Sequence, residues 1–309
     1  MTKEYKKILV AGGKGFVGQN VVKKLKERNL NFAVLDLIDG HDFRDFEKTK
    51  AIFEKEKFDA VIHCAAFVGG IQFGYKYPAQ MYYDNIIMTS YLMEAARLTK
   101  VKRFVNIISN CVYPSHLSFF KEEELWAGPM HESVLSYGFA KRAGLVQGWS
   151  YQKQYGFNSV HLIIASMYGP GDHFNEERSH ALGALIKKFV DAKKNNRPEV
   201  TLWGSGKPIR EWLYVEDGAE AIVKSLFIEP HIDPINIGVG EGVSIIDLAQ
   251  LVRKEAGYEG KITFDTSKPD GVFSKVMDNT KMIEIFKWHP EINLEDGIKK
   301  TVKYYQDNF

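Results

Sequence analysis

The stretch that decides the fold is Val10-Ala11-Gly12-Gly13-Lys14-Gly15-Phe16-Val17-Gly18. It joins a short apolar run at residues 8–11 to a segment at residues 16–28 in which apolar residues recur with helical spacing. Side chains at the first two glycines of this G-x-x-G-x-x-G pattern would block a tight turn, and the helix after it offers free N–H groups and the positive end of its dipole. The pattern therefore predicts a strand, a turn and a helix that together bind the pyrophosphate of a dinucleotide. The residues expected to contact that cofactor here are Gly12, Gly15, Phe16, Val17 and Gly18.

The same alternation of apolar runs and helical spacing continues to about residue 170. The predicted strands are residues 32–35, 60–63, 103–108 and 160–165, and the predicted helices are residues 46–57, 81–99 and 137–154. Such an alternation predicts a parallel sheet with helices on both faces, which is an α/β fold of the Rossmann-type doubly wound class.

The character of the chain changes after Gly169-Pro170-Gly171, where loops lengthen and the predicted strands at residues 201–203 and 262–264 are short. Residues 243–256 and 293–309 have the spacing of amphipathic surface helices. We therefore predict a dinucleotide-binding domain at residues 1–170 and a smaller C-terminal α/β lobe at residues 171–309 that binds the substrate. One segment of that lobe is expected to return to the sheet, and a cleft is expected between the two parts.

Composition excludes several classes of function. The 309 residues include 41 Lys and Arg against 39 Asp and Glu, a net charge of +2, so there is no basic surplus for binding nucleic acid or a membrane surface. The two cysteines, Cys64 and Cys111, exclude a disulfide framework and favour a reducing compartment. No apolar run approaches the ~20 residues of a membrane helix. With no signal-peptide pattern at the start of the sequence, we expect a cytoplasmic protein. No metal site is expected.

The choice of cofactor depends on Asp36, which follows the predicted second strand. A carboxylate there accepts hydrogen bonds from both hydroxyls of the adenosine ribose and repels a 2′-phosphate. Lys14 has the opposite effect, because its ammonium could pair with a 2′-phosphate. Since a carboxylate at this position usually decides, NAD is expected, with NADP the less favoured alternative.

Tyr137 and Lys141 stand four residues apart, on one face of a predicted helix. A tyrosine hydroxyl can give or take a proton at a carbon that undergoes hydride transfer, and a nearby ammonium lowers the pKa of the phenol. Lys141 can also hold the nicotinamide ribose, so both residues are expected at the cofactor. Ser109 ends an earlier predicted strand, where its hydroxyl would meet the same carbonyl oxygen.

The glycine turn, Ser109 and the Tyr137–Lys141 pair resemble the extended short-chain dehydrogenases/reductases. Further motifs narrow the resemblance to GDP-L-fucose synthase, and they cover the chain from the first strand to residue 271. These motifs are Ala65-Ala66-Phe67-Val68-Gly69-Gly70-Ile71, Tyr77-Pro78-Ala79, Ser109-Asn110-Cys111-Val112-Tyr113-Pro114, Tyr168-Gly169-Pro170, Leu202-Trp203-Gly204-Ser205-Gly206, Arg210-Glu211 and Ser267-Lys268-Pro269-Asp270-Gly271.

The resemblance implies a set of catalytic groups. In that family, the positions matched by Ser109, Tyr137 and Lys141 carry out hydride and proton transfer at C4 of a GDP-bound 4-keto sugar. A cysteine and a histidine, matched here by Cys111 and His180, act as acid and base that epimerise C3 and C5. This chemistry is reasonable because a 4-keto group acidifies the neighbouring C–H bonds.

The resemblance also implies binding groups. Trp203 matches an aromatic residue on the guanine side, and Arg210 matches a diphosphate contact, for which the planar fork of arginine is well suited. Lys268 and Asp270 fall in a loop that closes over the substrate. Near the cofactor, Asp42 matches a position that contacts the adenine amine, and Ala65, like Gly12, matches a position where the backbone approaches the cofactor.

The chain departs from the fucose synthases at several positions. Asp36 replaces a basic residue of these NADPH enzymes, and Phe67 replaces a lysine beside the cofactor and substrate. Lys188 replaces an arginine near the nucleotide, which keeps the charge without the fork. Ser166 replaces an asparagine, and Val272-Phe273-Ser274-Lys275 lacks the usual Thr-Pro-Arg. With an acidic residue at Asp36 and a cysteine in the run Ser-x-Cys-x-Tyr-Pro, the chain also resembles the GDP-mannose 3,5-epimerases.

We therefore predict an NAD(H)-dependent oxidoreductase that acts at C4 of a GDP-linked manno-type sugar, a hexose or a heptose. The expected direction is oxidation of the C4 hydroxyl to a ketone, with Tyr137 as base. One alternative is an epimerase/reductase of a GDP-4-keto-6-deoxy sugar, like GDP-L-fucose synthase, and a second is a redox-neutral enzyme like GDP-mannose 3,5-epimerase. A third, outside catalysis, is a cofactor-bound regulator, against which the complete set of Ser109, Tyr137 and Lys141 argues.

The resemblance also implies how subunits pair. A homodimer is expected through a four-helix bundle formed by the predicted helices at residues 81–99 and 137–154, and a tetramer is left open.

Overall fold

A computed structural model describes residues 5–175, 178–268 and 270–309. Pro269, a member of the Ser267–Gly271 motif, lies outside these ranges. Within them, no helix has the length and apolar character that crossing a membrane requires.

The secondary structure alternates strongly in the first half of the chain and less regularly afterwards. The strands are β1 Ile8–Ala11, β2 Phe32–Leu35, β3 Ala60–His63, β4 Arg103–Ser109, β5 Phe119–Phe120, β6 Ser159–Ile164, β7 Ser166–Tyr168, β8 Glu199–Trp203, β9 Ile209–Arg210, β10 Trp212–Tyr214, β11 Ile235–Ile237, β12 Val243–Ser244, β13 Lys261–Asp265 and β14 Ser274–Met277. The α-helices are α1 Phe16–Glu27, α2 Phe46–Glu56, α3 Ile71–Lys76, α4 Pro78–Leu98, α5 Leu135–Tyr155, α6 Ala181–Lys194, α7 Val215–Lys224, α8 Ile245–Ala256, α9 Thr280–Phe286 and α10 Leu294–Asn308.

A six-stranded sheet in the order β11-β6-β4-β3-β1-β2 forms the centre of the molecule, and every neighbouring pair in it is parallel. The chain adds β2 on one side of β1 and β3 on the other, so the strand order reverses at β1. This confirms the predicted doubly wound Rossmann-type fold. In such sheets the crevice at the carboxyl ends of the strands, at the point of reversal, is where ligands bind.

Residues of β1 alternate between the two faces of the sheet, as strand geometry requires. Ile8 and Val10 belong to the core that includes residues of α1 and α7, and Leu9 and Ala11 belong to a separate core that includes residues of α2 and α4. All four side chains are fully buried. The glycine turn that follows β1 is thereby held rigidly at the carboxyl edge of the sheet.

The second half of the chain forms its own apolar core but also contributes to the central sheet. Helices α6, α8 and α10 pack together around Phe189, Leu248 and Ile298. By contrast, β11 pairs with β6 at the edge of the sheet, and α7 packs against α1. The short strands β9 and β14 pair in parallel, and this pairing places Lys275 opposite Arg210.

Candidate active site

The glycine turn has the geometry that a pyrophosphate site needs. Gly12 has φ +77°, and a Cβ atom there would lie 2.6 Å from the Cα atom of Ala65, so only glycine fits. A Cβ atom on Gly18 would lie 2.1 Å from the carbonyl oxygen of Gly12, because α1 packs directly on the turn. Gly15 precedes α1 without a side-chain cap, which leaves the first N–H groups of the helix for a ligand. The predicted cofactor residues Phe16 and Val17 are the first two residues of that helix.

Asp36 and Lys14 meet directly at the end of β2. Asp36 is 8% exposed, and its carboxylate accepts hydrogen bonds from the backbone N–H of Lys14 at 2.9 Å and of Ile38 at 3.2 Å. The ammonium of Lys14 forms an ion pair with Asp39. The one basic side chain of the turn is therefore already offset by a carboxylate, while Asp36 stays beside the turn.

Asp42 lies further along the same edge and is bound to a neighbouring arginine. Both of its carboxylate oxygens accept hydrogen bonds from Arg44, at 2.9 and 2.8 Å, and Arg44 also donates to Asp84 at 3.1 Å. The hydrogen bonds from Arg44 hold the pKa of Asp42 below its usual value. The contact of Asp42 with an adenine ring stays a prediction.

The structure brings together Ser109, Tyr137 and Lys141. Ser109 is the last residue of β4, and its hydroxyl accepts a hydrogen bond from the backbone N–H of Cys111 at 3.3 Å. The turn that contains Cys111 touches α5 one residue after Tyr137, since a Cβ atom on Gly138 would lie 2.9 Å from the carbonyl oxygen of Cys111. The Nζ atom of Lys141 lies 5.6 Å from the centre of the Tyr137 ring.

Burial sets the ionisation of this pair. Tyr137 is 9% exposed and Lys141 is 3% exposed. Burial lowers the pKa of Lys141 to about 8. The Tyr–Lys spacing predicts that the ammonium lowers the pKa of Tyr137. In the structure, burial instead raises the pKa of Tyr137, and the Cys111 thiol is a smaller cause of the increase. The phenol is therefore protonated at neutral pH.

Lys141 has a feature that fits a bound cofactor. Within the described ranges, no hydrogen bond or ion pair holds its buried ammonium, and its interactions are with the Tyr137 ring and, electrostatically, with Cys64 and His63. A buried ammonium normally has hydrogen-bond acceptors. Ribose hydroxyls of a nicotinamide cofactor would supply them at this position, next to the glycine turn.

Cys111 lies next to Lys275, whose charge also acts on His180. The sequence offers Lys275 only as part of a run that departs from the fucose synthases, with no role assigned to it. The Nζ atom of Lys275 is 3.9 Å from the Sγ atom of Cys111. Burial lowers the pKa of His180, and the positive charges of His173 and Lys275 lower it further. The charge of Arg210 also acts on this cluster, because Cys111 and Asp270 are its electrostatic neighbours. No spacing rule relates Lys275 to Cys111, since 164 positions separate them.

Trp203 forms an outer cluster with two lysines. Its ring is 52% exposed, and the Nζ atoms of Lys188 and Lys268 lie 5.8 and 5.6 Å from its centre. The predicted substrate residues Lys188, Trp203 and Lys268 are thus neighbours in the structure. An exposed aromatic face flanked by ammonium groups can bind a planar base that carries phosphates.

Arg210 and Asp270 fix the loop that follows Lys268. The carboxylate of Asp270 accepts hydrogen bonds from the N–H and the hydroxyl of Ser205, at 2.6 and 2.7 Å. The guanidinium of Arg210 donates to the carbonyl oxygens of Asp270 at 3.4 Å and Phe273 at 3.3 Å. Arg210 therefore interacts with both parts of the site. It binds the loop of Asp270, which follows Lys268, by a hydrogen bond, and its charge acts on Cys111. Among the described residues, no group of His, Cys, Asp and Glu is arranged to hold a metal ion.

Comparisons with known proteins identify the family of this chain. A family model described as the NAD dependent epimerase/dehydratase family matches residues 8–238. The GDP-L-fucose synthase of Escherichia coli strain K12 is 34% identical over 312 aligned residues, which cover 98% of this chain and 97% of that protein. The solved structure of a GDP-6-OMe-4-keto-L-xylo-heptose reductase from C. jejuni superimposes with a TM-score of 0.90 at 27% identity over 100% of both chains.

A GDP-mannoheptose C4 reductase from Campylobacter jejuni with NADP bound superimposes with a TM-score of 0.88 at 28% identity, over 99% of this chain and 100% of that one. The family match spans the glycine turn, Ser109 and the Tyr137–Lys141 pair, and the solved structures share the whole fold. The chain is therefore an enzyme and belongs to the NAD dependent epimerase/dehydratase family, within the extended short-chain dehydrogenases/reductases.

Proposed function

We propose that this enzyme reduces the 4-keto group of a GDP-linked sugar. The observation that carries the proposal is the packing of the Ser109–Cys111 turn against α5 beside Tyr137, in a chain that resembles GDP-sugar synthases and reductases over its full length. Reduction is the first alternative to the oxidation of the C4 hydroxyl that we predict from the sequence. The names of the similar proteins support reduction more than they support oxidation of a C4 hydroxyl.

The chemistry follows from the groups around Tyr137. A bound nicotinamide cofactor would supply the hydride for C4 of the sugar. Ser109 and Tyr137 hold the keto oxygen, and Tyr137 donates its proton to that oxygen as the alcohol forms. Donation requires the protonated phenol, and this is the form that burial favours. The ammonium of Lys141 lies close enough to Tyr137 to stabilise the phenolate that remains.

NAD(H) is the cofactor that the edge of β2 favours. Asp36 and Asp39 place two carboxylates where the adenosine ribose would lie, and Asp39 offsets the charge of Lys14. A 2′-phosphate would meet net negative charge there. The Campylobacter GDP-mannoheptose reductase contains NADP, so the proposed preference for NAD(H) rests on Asp36 of this chain and not on that similarity.

The Trp203 cluster suits the nucleotide of the substrate. Guanine can stack on the exposed Trp203 ring, and the diphosphate can be bound by Arg210, Lys188 and Lys268. The loop held by Asp270 and Ser205 closes this end of the site. The diphosphate thereby lies between the base and the sugar, whose C4 atom is at Tyr137.

A second activity, epimerisation next to the keto group, is favoured by the position of Lys275. This ammonium is beside Cys111 and acts electrostatically on His180, and it would stabilise negative charge as a proton leaves C3 or C5. His180 is neutral at pH 7 because its pKa is lowered, so it can accept a proton. Such exchange would precede the reduction at C4.

The test of both activities uses two 4-keto substrates. The purified enzyme is incubated with NADH or NADPH and either a GDP-4-keto-6-deoxyhexose or a GDP-4-keto-heptose, in ordinary water and in D₂O. We expect loss of absorbance at 340 nm with at least one substrate, and deuterium at C3 or C5 of the product. Oxidation of GDP-mannose-type sugars by NAD, without reduction of either ketone, would refute the proposed direction.

A second copy of the chain is the proposed partner. Helices α4 and α5 lie side by side, and their outer faces expose Tyr83, Phe139 and Val146 at 59%, 51% and 44%. A continuous exposed apolar face of this kind usually pairs with another subunit. A symmetric four-helix bundle would cover it.

A further inference from the structure

Near Tyr137, two phenylalanine rings lie beneath a guanidinium. Phe67 and Phe73 pack with their ring centres 4.9 Å apart, and both belong with Tyr137 and Cys111 to one apolar cluster. The guanidinium carbon of Arg178 lies over both rings, 5.9 Å from the centre of Phe67 and 5.5 Å from that of Phe73. We call Arg178, Phe67 and Phe73 the stacked wall.

The stacked wall combines Phe73 of α3 with Phe67 and Arg178, which lie outside the helices and are held by hydrogen bonds of their backbone. Asn85 is 1% exposed, accepts from the backbone N–H of Phe67 at 3.1 Å and donates to its carbonyl oxygen at 2.8 Å. The backbone N–H of Arg178 donates to Asn175 at 2.8 Å. The segments that carry Phe67 and Arg178 touch at Gly70, where a Cβ atom would lie 2.6 Å from the carbonyl oxygen of Ser179.

The sugar can present only a few groups to this wall. In a pyranose, C4 is opposite C1, so a sugar held with its diphosphate near Arg210 and its C4 atom at Tyr137 turns its C3 and C5 substituents to the remaining sides. The C3 substituent is a hydroxyl attached directly to the ring. The C5 substituent alone combines carbon, which packs on aromatic rings, with oxygen, which a guanidinium binds.

A cavity lies beside Tyr137, which belongs to the same apolar cluster as Phe67 and Phe73, although the three wall residues are not in its lining. It has a volume of about 80 Å³ and is lined by residues that include Ser133, Ser136, Glu132 and Tyr75. That volume exceeds the ~30 Å³ that one water molecule occupies in the liquid. Its lining has hydroxyl groups that suit a sugar hydroxyl, and the carboxylate of Glu132 would repel an acidic side chain.

We infer that the stacked wall selects a substrate whose C5 side chain carries a hydroxyl group, as in a hexose or heptose, over a 6-deoxy sugar with a methyl group. The side-chain carbon packs on the partly exposed ring of Phe67, which the buried Phe73 supports. Arg178 donates a charge-assisted hydrogen bond to the hydroxyl. The inference rests on the proposed function, since it takes the GDP-sugar and the position of C4 from it.

The test compares two ligands that differ in one oxygen atom. GDP-D-mannose and GDP-6-deoxy-D-mannose are titrated by calorimetry into the enzyme saturated with NADH, which can reduce neither sugar. We expect the wild type to bind GDP-D-mannose about tenfold more tightly, the range for a hydrogen bond to a charged group. Arg178→Met keeps the apolar stack without the donors and should bring the ratio to within about twofold of one.

Two further variants complete the test. Arg178→Lys keeps the charge without the fork and should give an intermediate ratio, and Arg197→Met, at an exposed arginine away from the wall, should keep the wild-type ratio. Equal affinities in the wild type, or a tenfold ratio that persists in Arg178→Met, would overturn the inference and leave the proposed function intact. Failure of the wild type to bind either GDP-sugar would overturn both.

Discussion

The Nζ atom of Lys275 lies 3.9 Å from the Sγ atom of Cys111, and the same ammonium acts electrostatically on His180. Lys275 reaches this position because β14 pairs with β9, where it stands opposite Arg210. One cation is therefore shared by the two groups that the proposed epimerisation uses. Negative charge that develops on the sulfur atom or on the substrate is stabilised at this distance.

Replacement of Lys275 by Met should slow proton exchange more than reduction. Without the ammonium, charge that forms as a C–H bond breaks loses the cation 3.9 Å from the Sγ atom of Cys111, although the charge of Arg210 still acts there. Exchange should therefore fall by about 10- to 100-fold. Deuterium uptake from D₂O into the sugar, followed by NMR, measures this step. Lys275→Arg retains the charge and should retain most of the exchange. Equal losses of exchange and reduction in Lys275→Met would assign Lys275 to substrate binding instead.

Tyr137→Phe should abolish most of the reduction without weakening cofactor binding. The hydroxyl is the proton donor for the keto oxygen, and loss of a general acid costs about 10²- to 10⁴-fold in rate. The buried ring and the position of Lys141 stay, so the Kd for the nicotinamide cofactor should change less than about threefold. Single-turnover absorbance at 340 nm and cofactor fluorescence separate the two effects. A rate within tenfold of wild type would assign the proton to another donor.

The local part of this molecule could be predicted from the sequence. The glycine turn, α5 and five of the six strands of the central sheet depend on residues that are close along the chain, such as Gly12 and Gly18 or Tyr137 and Lys141. Their spacing reflects turn and helix geometry directly. By contrast, β11 at Ile235–Ile237 is expected only as an unspecified returning segment. Helix α7 gives no such signal at its start, since it begins at Val215 immediately after β10 ends at Tyr214.

The remainder depends on contacts between distant segments. Lys275 meets Cys111 through β9–β14 pairing, and Arg178 meets Phe67 through two loops, and neither pair has a characteristic spacing. The pKa of Tyr137 also depends on the burial of its ring, which the spacing of Tyr137 and Lys141 along the chain does not predict. Sequence patterns thus predict which groups are present, whereas long-range packing decides which of them meet and how they ionise.

Asp36→Asn should shift the cofactor preference towards NADPH. The change removes the negative charge that would repel a 2′-phosphate and keeps an oxygen for the N–H of Lys14. We expect the ratio of kcat/KM for NADH over that for NADPH to fall by about 10-fold or more. Asp39→Asn should act in the same direction, because it releases the ammonium of Lys14. A wild-type enzyme that already prefers NADPH would refute the assignment of NAD.

Asp172 should make stability depend on pH. Burial raises the pKa of this carboxyl to about 7, and its one hydrogen bond in the described structure comes from the N–H of His173. Between about pH 4 and pH 7, the folded state therefore keeps a proton on Asp172 that the unfolded chain has already released. The free energy of unfolding falls as the pH rises through that range. The loss is at most about 4 kcal/mol.

Asp172→Asn resembles the protonated carboxyl and should remove this part of the pH dependence. Denaturant unfolding of the wild type and the variant at pH 5 and pH 8 measures the difference. Glu211, whose pKa burial also raises to about 7, contributes with the same sign in both proteins and so cancels in the comparison. Parallel pH profiles for the two proteins would contradict the assignment to Asp172.

Phe139→Asp should convert the enzyme into monomers. The Phe139 ring is 51% exposed and lies 6.2 Å from the ring of Tyr82, so α4 and α5 present their aromatic residues on one continuous face. A carboxylate in the middle of a symmetric apolar interface is buried twice, once from each subunit, and its desolvation opposes pairing. Size-exclusion chromatography with light scattering should give twice the chain mass for the wild type and the single mass for Phe139→Asp. Ile283→Asp, at a residue 43% exposed on α9, is the matched control and should leave the dimer intact. A wild type that elutes as a monomer would refute the proposed dimer.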